Sequence, residues 1–140
     1  MILQFNYEEL TALKAGANGL LREGEPVGGV VLAPPERRAR VEALVPMLEG
    51  DVSLESLAEV HDVQVAIETI VGWLRIEMES AVLATHAAEE SAVAAYFDFA
   101  HAFTVSHRVS EMATEMSALI ELMTGAPPTD ETARAIHFPD

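Results

Sequence analysis

Asp98 and His101 are the two residues of this chain whose types and spacing best suit them to act together. Three positions apart on a helix, a carboxylate and an imidazole project from one side. Such a pair can work as general acid and base, or supply two ligands to a divalent cation. Glu90, Glu79 and His86 would join them if the chain turns near residue 86, giving the carboxylate-rich site that helical bundles build around metals. The usual bundle signature, Glu-x-x-His on facing helices, is absent from the sequence. The same spacing also fits a hydrogen-bonded polar pair in an ordinary helix contact, and that is the reading the residues favour. A divalent metal held by Asp98, His101, Glu90 and His86 is the alternative, and otherwise no cofactor is expected.

Other chemistry is poorly served. With no cysteine, the chain lacks thiol nucleophiles, disulfides and cysteine-ligated zinc or iron–sulfur sites. Gly28-Gly29 is followed by neither Lys nor Ser/Thr at phosphate-loop spacing, so a phosphate cradle is not expected there. His107 and Glu111, four apart, read as a surface pair, and His61 between Glu59 and Asp62 reads as solvated.

The elements that must position these residues lie in one stretch. Residues 53–124 contain no proline and a single glycine, Gly72. Helical apolar spacing runs through nearly all of it, predicting an antiparallel hairpin of two long helices. The first arm extends from Ser53, as N-cap, to about Thr85, with Val60, Val63, Ile67, Ile70, Val71, Leu74, Met78, Ala81 and Val82 on one core-facing stripe. Val65, Trp73, Ile76 and Leu83 fall off that stripe, so this arm needs cover on more than one side. The second arm extends from about Ala88 to Thr124. Its later part has a seam at Val105, Val109, Met112, Met116, Leu119 and Met123. Its earlier part has an apolar face of Val93, Tyr96, Phe99, Ala100 and Phe103, with Phe97 to one side, and this face projects opposite the seam. One helix thus asks for two partners, through a bend near Thr104 or through a second subunit.

Shorter elements flank the hairpin. Asn6 and Glu9 form a reciprocal cap for a helix running to about Arg22, with Leu10, Leu13, Ala17 and Leu20 as its apolar stripe. Residues 24–35 interrupt the chain, and Val27 to Leu32 read as a small hairpin or an extended loop. Pro34-Pro35 opens a second helix expected to reach about Glu49 unless Pro46 shortens it. Its Arg37, Arg38 and Arg40 oppose the helix dipole, which predicts ion pairing with the acidic hairpin. After the stop at Gly125-Ala126-Pro127-Pro128, Thr129 caps a short helix to about Ala135. The apolar end, Ile136, His137 and Phe138, either packs back on the bundle or serves as a docking tail.

The expected fold is therefore all-α: a helical bundle on a long hairpin with two shorter N-terminal helices, in one domain over 1–125 followed by a tail over 126–140. Trp73, Tyr96, Phe97, Phe99, Phe103, Met112 and Met116 are the candidate interface residues of a homodimer. The net charge of −15 is concentrated after residue 50, where 16 acids face three bases. That balance disfavours nucleic acid and anionic membranes and leaves a protein with a basic surface as a possible partner. No run of about 20 uncharged apolar residues and no secretory signal are present, so the expected location is the cytoplasm. Seven Arg to one Lys reflects GC-rich coding, as in a bacterial gene. The function read from these features is non-enzymatic: a helical interaction or assembly module, with a metal-binding or small-molecule bundle as the alternative.

Overall fold

The structure is a computed structural model that describes residues 1–23, 33–84 and 89–139. The glycine stretch 27–32 and the junction at 85–88, including the Thr85 cap and His86, lie outside the described residues. The fold is mostly helical. Helix α1 is Tyr7–Glu23, α2 is Pro35–Leu44, α3 is Leu57–Leu83, α4 is Glu89–Thr124 and α5 is Asp130–Ala135. A short strand β1, Ile2–Leu3, pairs antiparallel with β2, Val52–Ser53, in the register Ile2 to Ser53 and Leu3 to Val52. Leu54 N–H extends the ladder by donating to Met1 O at 2.8 Å.

Local chemistry explains most boundaries. Asn6 Oδ1 accepts from Glu9 N–H at 2.8 Å and Glu9 Oε1 accepts from Asn6 N–H at 2.9 Å, closing the expected reciprocal cap on α1. Pro46 ends α2 at Leu44 and leaves a 3₁₀ turn over Val45–Met47, so the helix does not reach Glu49. Ser53 is not the cap of α3, because it belongs to β2. Ser56 takes that place, its Oγ accepting from Glu59 N–H at 3.3 Å. Thr129 caps α5 through a reciprocal pair with Thr132.

Helices α3 and α4 pack together along their length, with Gln64 Nε2 donating to Ser110 Oγ at 3.2 Å. The buried face of α3 runs from Leu57 to Leu74 and that of α4 from Ala102 to Ile120. On α4 the buried stripe is Ala102, Val105, Val109, Ala113, Met116 and Ile120. The expected seam is thereby corrected at two places: Leu119 and Met123 are exposed, while Ala113 and Ile120 face inward. A straight helix at 3.6 residues per turn returns to the azimuth of Ala102 after 18 residues, at Ile120, whereas a strict alternation of threes and fours drifts away from it.

Helix α1 lies against both long helices through its small residues. A Cβ added at Gly16 would sit 2.7 Å from Ile70 Cγ2, and one at Gly19 would sit 2.9 Å from Trp73 Nε1. Glu9, nearly fully buried, turns its free oxygen toward α4, where Arg108 Nη2 lies 2.6 Å from Oε2. Arg108 Nε and Nη2 aim no N–H at an acceptor, so this contact is an ion pair more than a hydrogen bond. The same carboxylate thus ends one helix and ties it to another. On the surface, Arg40 reaches Asp62 at 3.3 Å, the predicted pairing of α2 with α3. Arg38 instead donates to Leu21 O and lies 3.7 Å from Glu42.

Three outcomes follow for urea unfolding. Gly16→Ala should destabilise by about 1–3 kcal/mol, overpacking outweighing the gain in helix propensity. Gly72→Ala, exposed on α3 with nothing within 4 Å of an added Cβ, should stabilise by about 0.5–1 kcal/mol. Arg108→Met should cost about 3 kcal/mol, because it strands the buried Glu9 carboxylate, and Glu9→Gln in the same chain should restore much of that loss.

Candidate functional site

Helix α4 carries almost every residue that sequence reasoning singled out, and it sorts them onto opposite sides. Its core-facing side at residues 91–101 holds small residues, so α3 and α1 approach closely there. Asp98 comes with them. Together with Ala15, Gly19, Arg22, Trp73, Leu74, Glu77 and Ala95 it lines a cavity of about 180 Å³. That volume is below the ~300 Å³ at which pockets for ordinary small-molecule ligands begin. The half-buried position raises the Asp98 pKa above 3.8, since a desolvated carboxylate resists ionisation, and the neighbouring His101 pulls it down by less.

Asp98 and His101 are therefore brought together as the spacing predicted. The wider metal site does not assemble. Glu90 is exposed, Glu79 Oε1 accepts from Arg75 Nε at 3.1 Å on α3, and His86 lies outside the described residues. Among the described residues, no three His, Asp or Glu side chains stand where they could hold a metal ion. His101 instead stacks on Phe97, ring centroids 6.3 Å apart.

The outward side of α4 is apolar where the core side is small. Val93, Tyr96, Phe97 and Phe103 are all exposed, Phe97 at 53 % and Phe103 at 57 %. Tyr96 and Phe97 meet edge to face at 5.7 Å, and Phe99 meets Phe103 at 5.9 Å. Phe99 is partly buried against the core, while Tyr96, Phe97 and Phe103 keep more than half of their surface exposed. On α3 the exposed large apolar residues are Ile76 and Leu83, off the core stripe as expected, and Val82, whose expected place on that stripe is corrected because the enclosed face of α3 ends at Leu74.

The other candidate interface residues divide. Trp73, at 7 % exposure, is buried in the core and faces Gly19 of α1, and Met116 is fully buried. Their expected place on a subunit surface is corrected: α1 already supplies the cover that Trp73 needs, and α3 that of Met116. Phe99 and Met112 are partly buried against the core. The tail is also turned inward. Phe138 belongs to the core cluster and its N–H donates to Glu55 O at 2.7 Å, while Ile136 packs partly against the core. Of Ile136, His137 and Phe138 only His137 is exposed, its Nδ1 3.6 Å from Glu55 Oε2. His107 Nε2 and Glu111 Oε1 form the expected surface pair at 3.0 Å.

Sequence reasoning missed Glu9 and Arg108 as partners, since 99 positions separate them and each has a sufficient local explanation. It also missed a groove between α2 and the start of α3, with a volume of about 890 Å³. No described helix is long and apolar enough to cross a membrane.

The Asp98 shift has a definite sign. A raised pKa means the native state holds the proton more tightly than the unfolded state, so Asp98 favours folding below pH 3.8 and that contribution is lost as pH rises through the folded pKa. Asp98→Asn should therefore be more stable than the parent at pH 7, the difference shrinking toward zero as urea melts are taken below about pH 4. Compared with known proteins, the chain matches no family model, no curated protein and no solved structure.

Proposed function

We propose that this protein is a non-enzymatic assembly module of the cytoplasm that pairs with a second copy of itself through the outward apolar face of α4. In this reading α3 and α4 form an antiparallel hairpin, and two hairpins meet along their exposed arms to complete a helical bundle. The observation that carries it is the coincidence of apolar and uncharged surface. Residues 91–106 contain one acid, Asp98, and no base, and that acid is on the side turned toward the core cavity. Two copies each carrying −15 repel unless they touch where charge is missing, and this stretch offers exposed Val93, Tyr96, Phe97 and Phe103 at that place.

Aromatic residues are the commonest anchors of such contacts.

Light scattering tests this directly. At micromolar concentration the chain should run at twice 15.1 kDa. Phe97→Asp and Phe103→Asp should each return it to a monomer with an unchanged helical spectrum, since both side chains are exposed. A parent protein that is monomeric throughout this range would end the proposal.

A further inference from the structure

We infer that the groove between α2 and the first turns of α3 is a docking site for an amphipathic helix from another protein, one with Lys or Arg flanking an apolar stripe. One wall is a row of exposed apolar side chains, Ala39, Ala43 and Met47, at intervals of four along α2 and the turn after it. Leu44, Leu54 and Val63 close the floor and are buried. The small alanines let a second helix approach closely, and the row from residue 39 to 47 spans about 12 Å, or two turns of contact. A helix that lays an apolar stripe into such a groove is a common mode of peptide recognition.

Charge selects the occupant. Glu36, Glu55, Glu59 and Asp62 stand exposed along the rim. The one base among the lining residues, Arg40, is turned to Asp62 at 3.3 Å. Glu36 faces no cation among the described residues, Glu55 has only His137 at 3.6 Å, and Glu59 accepts Glu55 N–H at 2.8 Å with no base beside it, so a helix bringing bases on both edges of its stripe gains at each edge, and an acidic helix is repelled. This chain has no such segment to offer a second copy. Of the three bases in α2, Arg38 is held at Leu21 O and Glu42 and Arg40 at Asp62, and the other five, Lys14, Arg22, Arg75, Arg108 and Arg134, are scattered singly. The occupant is therefore foreign. The site is separate from the aromatic face of α4, so docking and self-association are independently testable.

The experiment uses the full chain and a fluorescein-labelled helical peptide of about 14 residues, leucines every three or four and lysines beside them. Anisotropy should show saturable binding that weakens several-fold between about 50 mM and about 300 mM salt. Ala43→Trp fills the groove and should weaken binding about tenfold or more, and Met47→Lys should do the same by repulsion at its end. Glu36→Gln with Glu55→Gln should weaken it about threefold or more, and a peptide with glutamates in place of the lysines should not bind. All of these side chains are exposed, and an unchanged helical spectrum checks each variant. Equal affinity for Ala43→Trp and Met47→Lys, equal binding of a lysine peptide whose leucines are replaced by serine, or no saturable binding to the parent chain would overturn the inference.

Discussion

Cover is in short supply in this fold, and that shortage organises the molecule. Helix α4 has 36 residues and α1 has 17, about 54 Å against about 25 Å at 1.5 Å per residue. The shorter helix and the strand pair clad one end of the α3–α4 pair and cannot reach along all of it. Burial follows: on α3 the enclosed positions stop at Leu74, and on α4 they begin at Ala102. Beyond those limits cover thins: α1 still reaches Glu77, Ala95 and Asp98 across the small cavity, and no fully enclosed position follows on either long helix among the described residues. A two-helix layer buries one stripe per helix, yet both arms carry apolar residues on a second side. Each exposed square ångström of that side forgoes about 25 cal/mol of burial.

Periodicity reads well where a helix is long and its neighbours are continuous. The stripe of α3 as far as Leu74, and the caps at Asn6 and Thr129, were legible because they depend on residues within four positions of one another. The stripe's continuation to Val82 was not, because burial there depends on a neighbour the stripe cannot name. The opposed faces of α4 were legible for the same reason, since azimuth on a helix is arithmetic. Sequence loses the thread where partners are remote. Trp73 looked like surplus apolar surface on α3. The residue that absorbs it, Gly19, is on a helix 54 positions earlier, and only a glycine there lets the indole sit so close. The β1–β2 ladder is two residues long on each side, too short for alternation to register. Glu9 was read correctly as a cap and incompletely as anything else, because its second oxygen finds Arg108 only after the chain has folded.

The candidate site shows the same limit from another direction. Asp98 and His101 share a helix face as their spacing requires, and a shared face is all that spacing can specify. Chemistry needs convergence from a second element, and what converges on Asp98 is a small cavity in which it is half desolvated. Its raised pKa is a consequence of burial beside small residues, a feature of packing as much as of reactivity. The exposed rings that follow on the other side of α4 are the stronger signal, because a solvated Tyr96, Phe97 and Phe103 have no intramolecular reason to be there.

A single excess of carboxylates shapes both surfaces. Repulsion between like-charged copies falls off within a Debye length of roughly 8–10 Å, so it is decided by charges at the contact and not by the total. On that rule the proposed self-association belongs to a stretch such as 91–106 and not to the rim formed by Glu36, Glu55 and Glu59. The same rim attracts a cationic helix by the same rule, with Ala39, Ala43 and Met47 supplying the apolar area that charge alone lacks. Acidity that would be a mere solubilising coat on an even surface becomes selective here because it is uneven. One apolar surface stands clear of carboxylates, as the proposed self-association requires; the other is fenced by them, as the proposed docking of a cationic helix requires.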